Sequence, residues 1–280
     1  MADGRHWKEE FLNEEGKMKN GSPAKEAVYF TEIAGQIRDV VQHFEEDNNG
    51  IKRRANHAKI LAGFTNAVFR VLPATESTNA VLVGFLSPGK EYKATLRMSN
   101  ASAEWKKSDR KPDLRGIAVR IHTEDGDQDF LMTNAEPHHA KDAREAMFAI
   151  MAGVEKDVIE DLIPDVFPGE DALAGALGAL PYLVKHLGLT GFHIASTLKK
   201  QMNIKVESLA TETFWSRAPI AIGPDPSPET AVAVKYRLRP AIEKIKDQRL
   251  IEAPKKLDVE LMNRLMTSEV KYFFEVQFFD

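Results

Sequence analysis

The chain of 280 residues contains no cysteine. That single absence excludes disulfides, thiolate metal sites and cysteine nucleophiles, and it suits a reducing compartment. Long apolar runs are missing too. The longest stretch without a charge, 172–184, is interrupted by Pro181 and falls short of the roughly 20 residues that span a bilayer. Met1-Ala2-Asp3-Gly4-Arg5-His6-Trp7-Lys8 has no apolar run behind it, so no secretory leader is expected and a cytoplasmic protein is predicted. Neither sign of charge forms a block. With 38 basic and 42 acidic residues the net charge is −4, which gives no footing to nucleic acid or an anionic membrane as partner. The sequence also lacks G-x-S-x-G, P-loop and G-x-G-x-x-G patterns, and none of its eight histidines sits in H-x-x-x-H or H-E-x-x-H. Hydrolase, NTPase, dinucleotide and zinc-peptidase readings therefore lose their usual signatures.

What is present is enough apolar residue, 43%, for a packed core. Residues 1–22 are polar and read as a loose arm. From Pro23 to about Glu46, Phe30, Ile33, Ile37, Val40, Val41 and Phe44 recur at helical steps, and Asp47-Asn48-Asn49-Gly50 is the expected stop. The texture then changes to short strand-like runs at Asn66–Ala74, Ala80–Phe85, Tyr92–Ser99, Arg115–His122 and Gln128–Asn134, with turns at Pro88-Gly89 and Asp125-Gly126. Helical spacing returns from Lys141 to about Lys200, with breaks expected at Pro164, Pro168-Gly169 and Pro181. Further strands are predicted at Val232–Leu238 and Tyr272–Phe279, and Leu257, Leu261 and Leu265 mark one face of a helix. Short links between the strands predict an α+β domain over 23–280, built on an antiparallel barrel with helices outside it.

One segment stands out as chemical. Arg53-Arg54-Ala55-Asn56-His57-Ala58-Lys59 delivers a histidine from a basic turn. Arg54-x-x-His57-Ala58-Lys59 resembles the catalase segment that carries the distal histidine. Arg97-Met98-Ser99 and Asp113-Leu114-Arg115-Gly116-Ile117-Ala118-Val119-Arg120 resemble later segments of that family, and Asp129-Phe130-Leu131-Met132-Thr133-Asn134 resembles the one with the distal asparagine. Glu212-Thr213-Phe214-Trp215-Ser216 and Ala233–Pro240 are similar to the short catalase-related proteins. The resemblance runs from about residue 50 to 280, and its specificity lies in the order and spacing of the segments.

It implies a haem b in a small antiparallel barrel and a small-molecule hydroperoxide as substrate, with no nucleic acid, no membrane span, and self-association of copies among the expectations. His57 would be the proton shuttle, since breaking a peroxide O–O bond requires a proton moved between its two oxygens. Asn134 would hold the outer oxygen, and Ser99 would fix the imidazole's tautomer. Arg54 and Arg97 would pair with haem propionates, and Phe148 would pack on the porphyrin face. Departures accompany the matches. Ile60 follows Lys59 where the family has glycine, and Asn56 stands where catalases have valine. Pro137-His138-His139 replaces apolar and aromatic residues. No tyrosine has arginine four residues before it, so the family's proximal iron ligand has no counterpart and the metal ligand stays unassigned. Two alternatives follow: rearrangement of fatty-acid hydroperoxides on the same cofactor, as in the allene oxide synthases, and a haem-free barrel that binds a small ligand without chemistry.

Overall fold

The computed structural model describes residues 10–46, 54–73, 84–101, 108–136, 140–149, 180–222, 232–242 and 256–278, apart from residues 18, 55, 110, 112, 141, 143, 147 and 182. The expected stop at 47–50, the breaks expected at Pro164 and Pro168-Gly169, and His138 and His139 lie outside these ranges.

Helix α1, Pro23–Glu46, follows the predicted periodicity. It does not leave the preceding arm loose over its described part. Leu12 is buried with Tyr29 and Ile33, and the Leu12 amide donates to Glu26 Oε2 at 2.8 Å. One apolar side chain and a captured backbone donor are enough to dock residues 10–22 on the helix.

Among the described residues, eight strands form one antiparallel sheet: β1 Ile60–Arg70, β2 Glu91–Asn100, β3 Arg115–Thr123, β4 Gly126–Thr133, β5 Phe214–Ser216, β6 Ile220–Ile222, β7 Val232–Pro240 and β8 Tyr272–Phe278. The first four are consecutive hairpin neighbours. β5 and β6 then pair in turn with β7, which also pairs with β8. Period-two alternation drives this arrangement. Ile117, Val119 and Ile121 of β3 are buried while Arg120 and His122 between them are exposed, so one face collects the core and the other takes charge. The sheet curls until its ends meet, with Phe69 of β1 and Phe274 of β8 5.7 Å apart between ring centroids. Phe130 lies 5.1 Å from Tyr236 and 5.0 Å from Phe274. These rings occupy the interior, which makes it a packed core.

Further along, the described residues include α2 Leu189–Met202 and α3 Leu257–Leu265. Leu257 and Leu261 of α3 bury against the barrel core. Phe148, Leu183 and Ile194 form a second, separate cluster. Three local expectations are corrected. The strand expected over Ala80–Phe85 is, where described, a single 3₁₀ turn, Gly84–Leu86, because Gly84 has φ 55° and a left-handed residue cannot continue a strand. The first barrel strand begins at Ile60 rather than Asn66 and so abuts the histidine segment directly. A break is expected at Pro181, yet the described residues at 180, 181 and 183–187 are helical. The break falls at Gly188, again with φ 57°.

Candidate functional site

At one end of the outer face, Ser99, Gly116 and Thr133 stand side by side across β2, β3 and β4. His57 lies over the middle of this row. A Cβ at Gly116 would fall 2.5 Å from His57 Cε1 and 2.6 Å from Nδ1, distances no real side chain tolerates, so the imidazole rests where only a glycine leaves room. Ser99 Oγ meets Nδ1 at 2.9 Å and fixes the plane of the ring. Among the described residues, no hydrogen-bond partner meets Nε2.

The backbone at His57 is itself unusual. Its φ is 55°, a left-handed conformation that costs an L-residue about 1–2 kcal/mol. Two bonds hold it: His57 N–H donates to Ala101 O at 2.9 Å, and Arg97 Nη2 donates to His57 O. A strained residue held by its neighbours at a ligand-facing position is what functional sites characteristically carry.

Charge then sets the protonation state. Burial, followed by the cations of Arg97, Arg54 and Arg217, brings the His57 pKa down to about 4, with Asp113 opposing them. The imidazole is therefore neutral at pH 7, with a lone pair available to take a proton. Arg97 is lowered by burial and by Arg54. Burial takes Arg217 down to about 10, so it remains charged near neutrality.

Beneath the site the polar groups are structural. Arg115 is 2% exposed and donates to Asn100 Oδ1 at 2.5 Å and to Asp109 O at 2.8 Å. Asp109 in turn pairs with Lys59 and accepts from the Leu257 amide at 3.1 Å, tying the histidine loop to the start of α3. Asn134 belongs to the same layer. Its Oδ1 accepts from Arg115 N–H at 2.8 Å and its Nδ2 donates to Glu212 Oε2 at 3.2 Å.

His57, Ser99, Arg97 and Arg54 are thus brought together by contact or field, and Asn134 joins them one residue beyond Thr133. Phe148 is placed elsewhere. It stacks on His186 at 4.9 Å with Arg144 over its ring, the contacts of an ordinary phenylalanine between helices. Two contributors went unassigned in the sequence. Gly116 was inside a recognised segment, yet nothing in that segment says which neighbour needs the space. Arg217, just after Trp215-Ser216, donates through Nη1 to Thr133 Oγ1 at 3.0 Å and Ala135 O at 3.3 Å, and so reaches the row from its far side.

Tyr236 and Tyr272 have their hydroxyls engaged and are poor candidates for a proximal metal ligand. Tyr236 Oη donates to Leu131 O at 3.4 Å and Tyr272 Oη to Leu209 O at 2.5 Å. Burial raises both hydroxyls above their ordinary range, which opposes a phenolate. Nor do the described residues contain a group of three or more His, Asp or Glu able to hold a metal. Among them, too, no helix is long and apolar enough to cross a membrane.

The curled antiparallel sheet is a fold already seen in solved structures. Two solved structures share it: a fungal catalase at 15% identity and TM-score 0.52, covering 86% of this chain and 45% of that one, and catalase A from Saccharomyces cerevisiae at 16% identity and TM-score 0.51, covering 88% and 48%. Residues 27–157 match the family model for catalase, a span that includes His57, Ser99, Gly116 and Asn134. The chain spans about half the length of the catalases it matches. No curated protein sequence matches it.

Proposed function

We propose that this chain carries the distal side of a haem-dependent hydroperoxidase site of catalase type, with hydrogen peroxide or an organic hydroperoxide as substrate. The observation that carries the reading is a neutral imidazole, pinned by Ser99 over a glycine and surrounded by three guanidinium groups. These residues fit the distal face of a haem, here of the b type by resemblance. Arg54 and Arg97 would hold its propionates. Bound haem would supply the redox-active iron at which the peroxide bond is broken.

The chain's own residues would do the rest. Neutral His57 accepts the hydroperoxide proton at Nε2 and returns it to the departing oxygen, a general acid–base role worth about 10²–10⁴-fold in rate. Ser99 keeps the ring from turning away from that path. Asn134 has a second N–H on Nδ2 beyond the one given to Glu212, and that hydrogen would be its donor to the outer oxygen.

A second reading, a haem-free barrel that binds a small ligand, is favoured by one observation: the Tyr236 and Tyr272 hydroxyls are committed to carbonyls. Haem titration separates the two. The hydroperoxidase reading expects a one-to-one Soret shift, peroxide turnover by the loaded chain, and at least a 10²-fold loss in His57→Gln with haem retained. No Soret shift would leave only the binding barrel. Full activity in H57Q would remove His57 from the chemistry.

A further inference from the structure

We propose that Thr133 also touches the substrate at this site: its hydroxyl donates a hydrogen bond to the departing oxygen of the hydroperoxide bound at His57. The inference rests on the hydroperoxidase reading and adds a donor beside the one assigned there to Asn134.

Position comes first. Ser99, Gly116 and Thr133 pair in register across β2, β3 and β4, and side chains directly opposite one another share a face of the sheet. That face is the one His57 occupies, because the imidazole lies where a Gly116 Cβ would be and meets Ser99 Oγ at 2.9 Å. Ser99 takes Nδ1 on the β2 side. The two nitrogens of an imidazole point nearly opposite ways, so Nε2 points away from Ser99. On the far side of Gly116, one strand spacing of about 4.8 Å onward, the next side chain on this face is Thr133.

Hydrogen-bond accounting supplies the second argument. Arg217 Nη1 donates to Thr133 Oγ1 at 3.0 Å, and a guanidinium can only donate. The hydroxyl oxygen is therefore the acceptor in that contact, and the hydroxyl hydrogen is not spent on it. Among the described residues no acceptor meets that hydrogen, although Thr133 is only 6% exposed. A buried donor without an acceptor calls for one. It is also held in place. Thr133 pairs with Gly116 on one side and Trp215 on the other, and Arg217 fixes its oxygen. A donor set in advance where charge develops is what stabilises a departing oxygen.

The test compares Thr133→Val, which removes the hydroxyl at nearly constant volume, with Thr133→Ser, which keeps it. Two ligands of the haem-loaded full chain serve as probes, read by absorption titration: fluoride, a strong hydrogen-bond acceptor, and carbon monoxide on the reduced haem, a weak one. T133V is expected to weaken fluoride about tenfold, the worth of one hydrogen bond, and to leave carbon monoxide unchanged. T133S should match the unaltered chain for both. Peroxide turnover should follow fluoride and fall at least about tenfold in T133V. Unchanged fluoride affinity in T133V would overturn the inference. So would equal weakening of both ligands, because the pocket and not the hydroxyl would then have changed. Should T133V lose its fold by circular dichroism, Thr133→Ala decides, with the same loss expected for fluoride alone and the same two results overturning the inference. A chain that loads haem and loses turnover in H57Q but not in T133V defeats this inference alone. A chain that loads no haem defeats the hydroperoxidase reading, and this inference falls with it.

Discussion

The two ends of the curled sheet use polar residues in opposite ways. Across β2–β4, Ser99, Asn100, Asp113, Arg115, Thr133 and Asn134 are all buried, and their bonds converge on the loop that presents His57. Across β7 and β8, the polar residues form a ladder open to solvent: Arg237 and Arg239 both pair with Glu275 at 2.6 Å, and Arg237 lies over the Trp215 ring at 4.7 Å. One row even joins the two ends, running Ser99–Gly116–Thr133–Trp215–Arg237–Glu275 from strand to strand. A sheet can therefore carry its site and its solvated surface on one continuous face. Burial decides which is which, because a buried charge must be fully bonded and so becomes rigid, whereas an exposed one is screened and replaceable.

The sharpest way to break the contrast is Arg115→Ala. It takes a donor from Asn100 Oδ1 and from the Asp109 and Lys111 carbonyls, a loss of about 2–4 kcal/mol when a buried acceptor left unsatisfied costs roughly 1–3 kcal/mol. Chemical denaturation should show it directly, and a loss below 1 kcal/mol would mean the β2–β4 network is no more critical than the ladder. Gly116→Ala acts on the site rather than the fold. Its Cβ would meet the imidazole edge at 2.5 Å, so His57 must swing off Ser99. Peroxide turnover of the haem-loaded chain should fall by roughly 10²-fold, the contribution of a positioned acid–base group, with the melting temperature moving less than in R115A.

Acid should discriminate the two ends as well. The unfolded His57 takes its proton near 6.5, the folded one only near 4. Stability is thus fully present above pH 6.5 and is lost as pH falls toward 4, by up to about 3 kcal/mol. Denaturation at pH 7 and pH 4.5 should show this loss in the unaltered chain and not in H57Q; parallel curves for the two proteins would contradict it. The smallest effect belongs to the ladder. Glu275→Gln breaks two partly exposed ion pairs and should cost less than about 1 kcal/mol, and high salt should shrink even that difference.

The legible part of this protein was whatever follows a local period or a contiguous motif. Helix α1, the β3–β4 hairpin, β7, α3 and β8 each carry their own pattern of apolar spacing, so each could be placed from neighbouring residues alone. The segments that carry His57 and Ser99 were legible for a related reason, since they resemble a family in order and spacing. Nothing local, by contrast, reveals that Gly84 turns the chain into a 3₁₀ segment, or that Leu12 docks an otherwise polar arm. Nor does the local sequence around Phe148 reveal that its partner is His186.

By itself, then, the sequence determined the strand alternation, the antiparallel class and the histidine segment, because those depend on residues a few positions apart. Only the tertiary structure decided that His57 is seated on Gly116, 59 positions along the chain, and that Phe130, Tyr236 and Phe274 meet in the barrel interior. It also placed Arg217 among the cations that keep the imidazole neutral. The physical reason is common to all three. Close approach, packing and electric field act through space between segments far apart in sequence, and curling of the sheet is what brings those segments within their range.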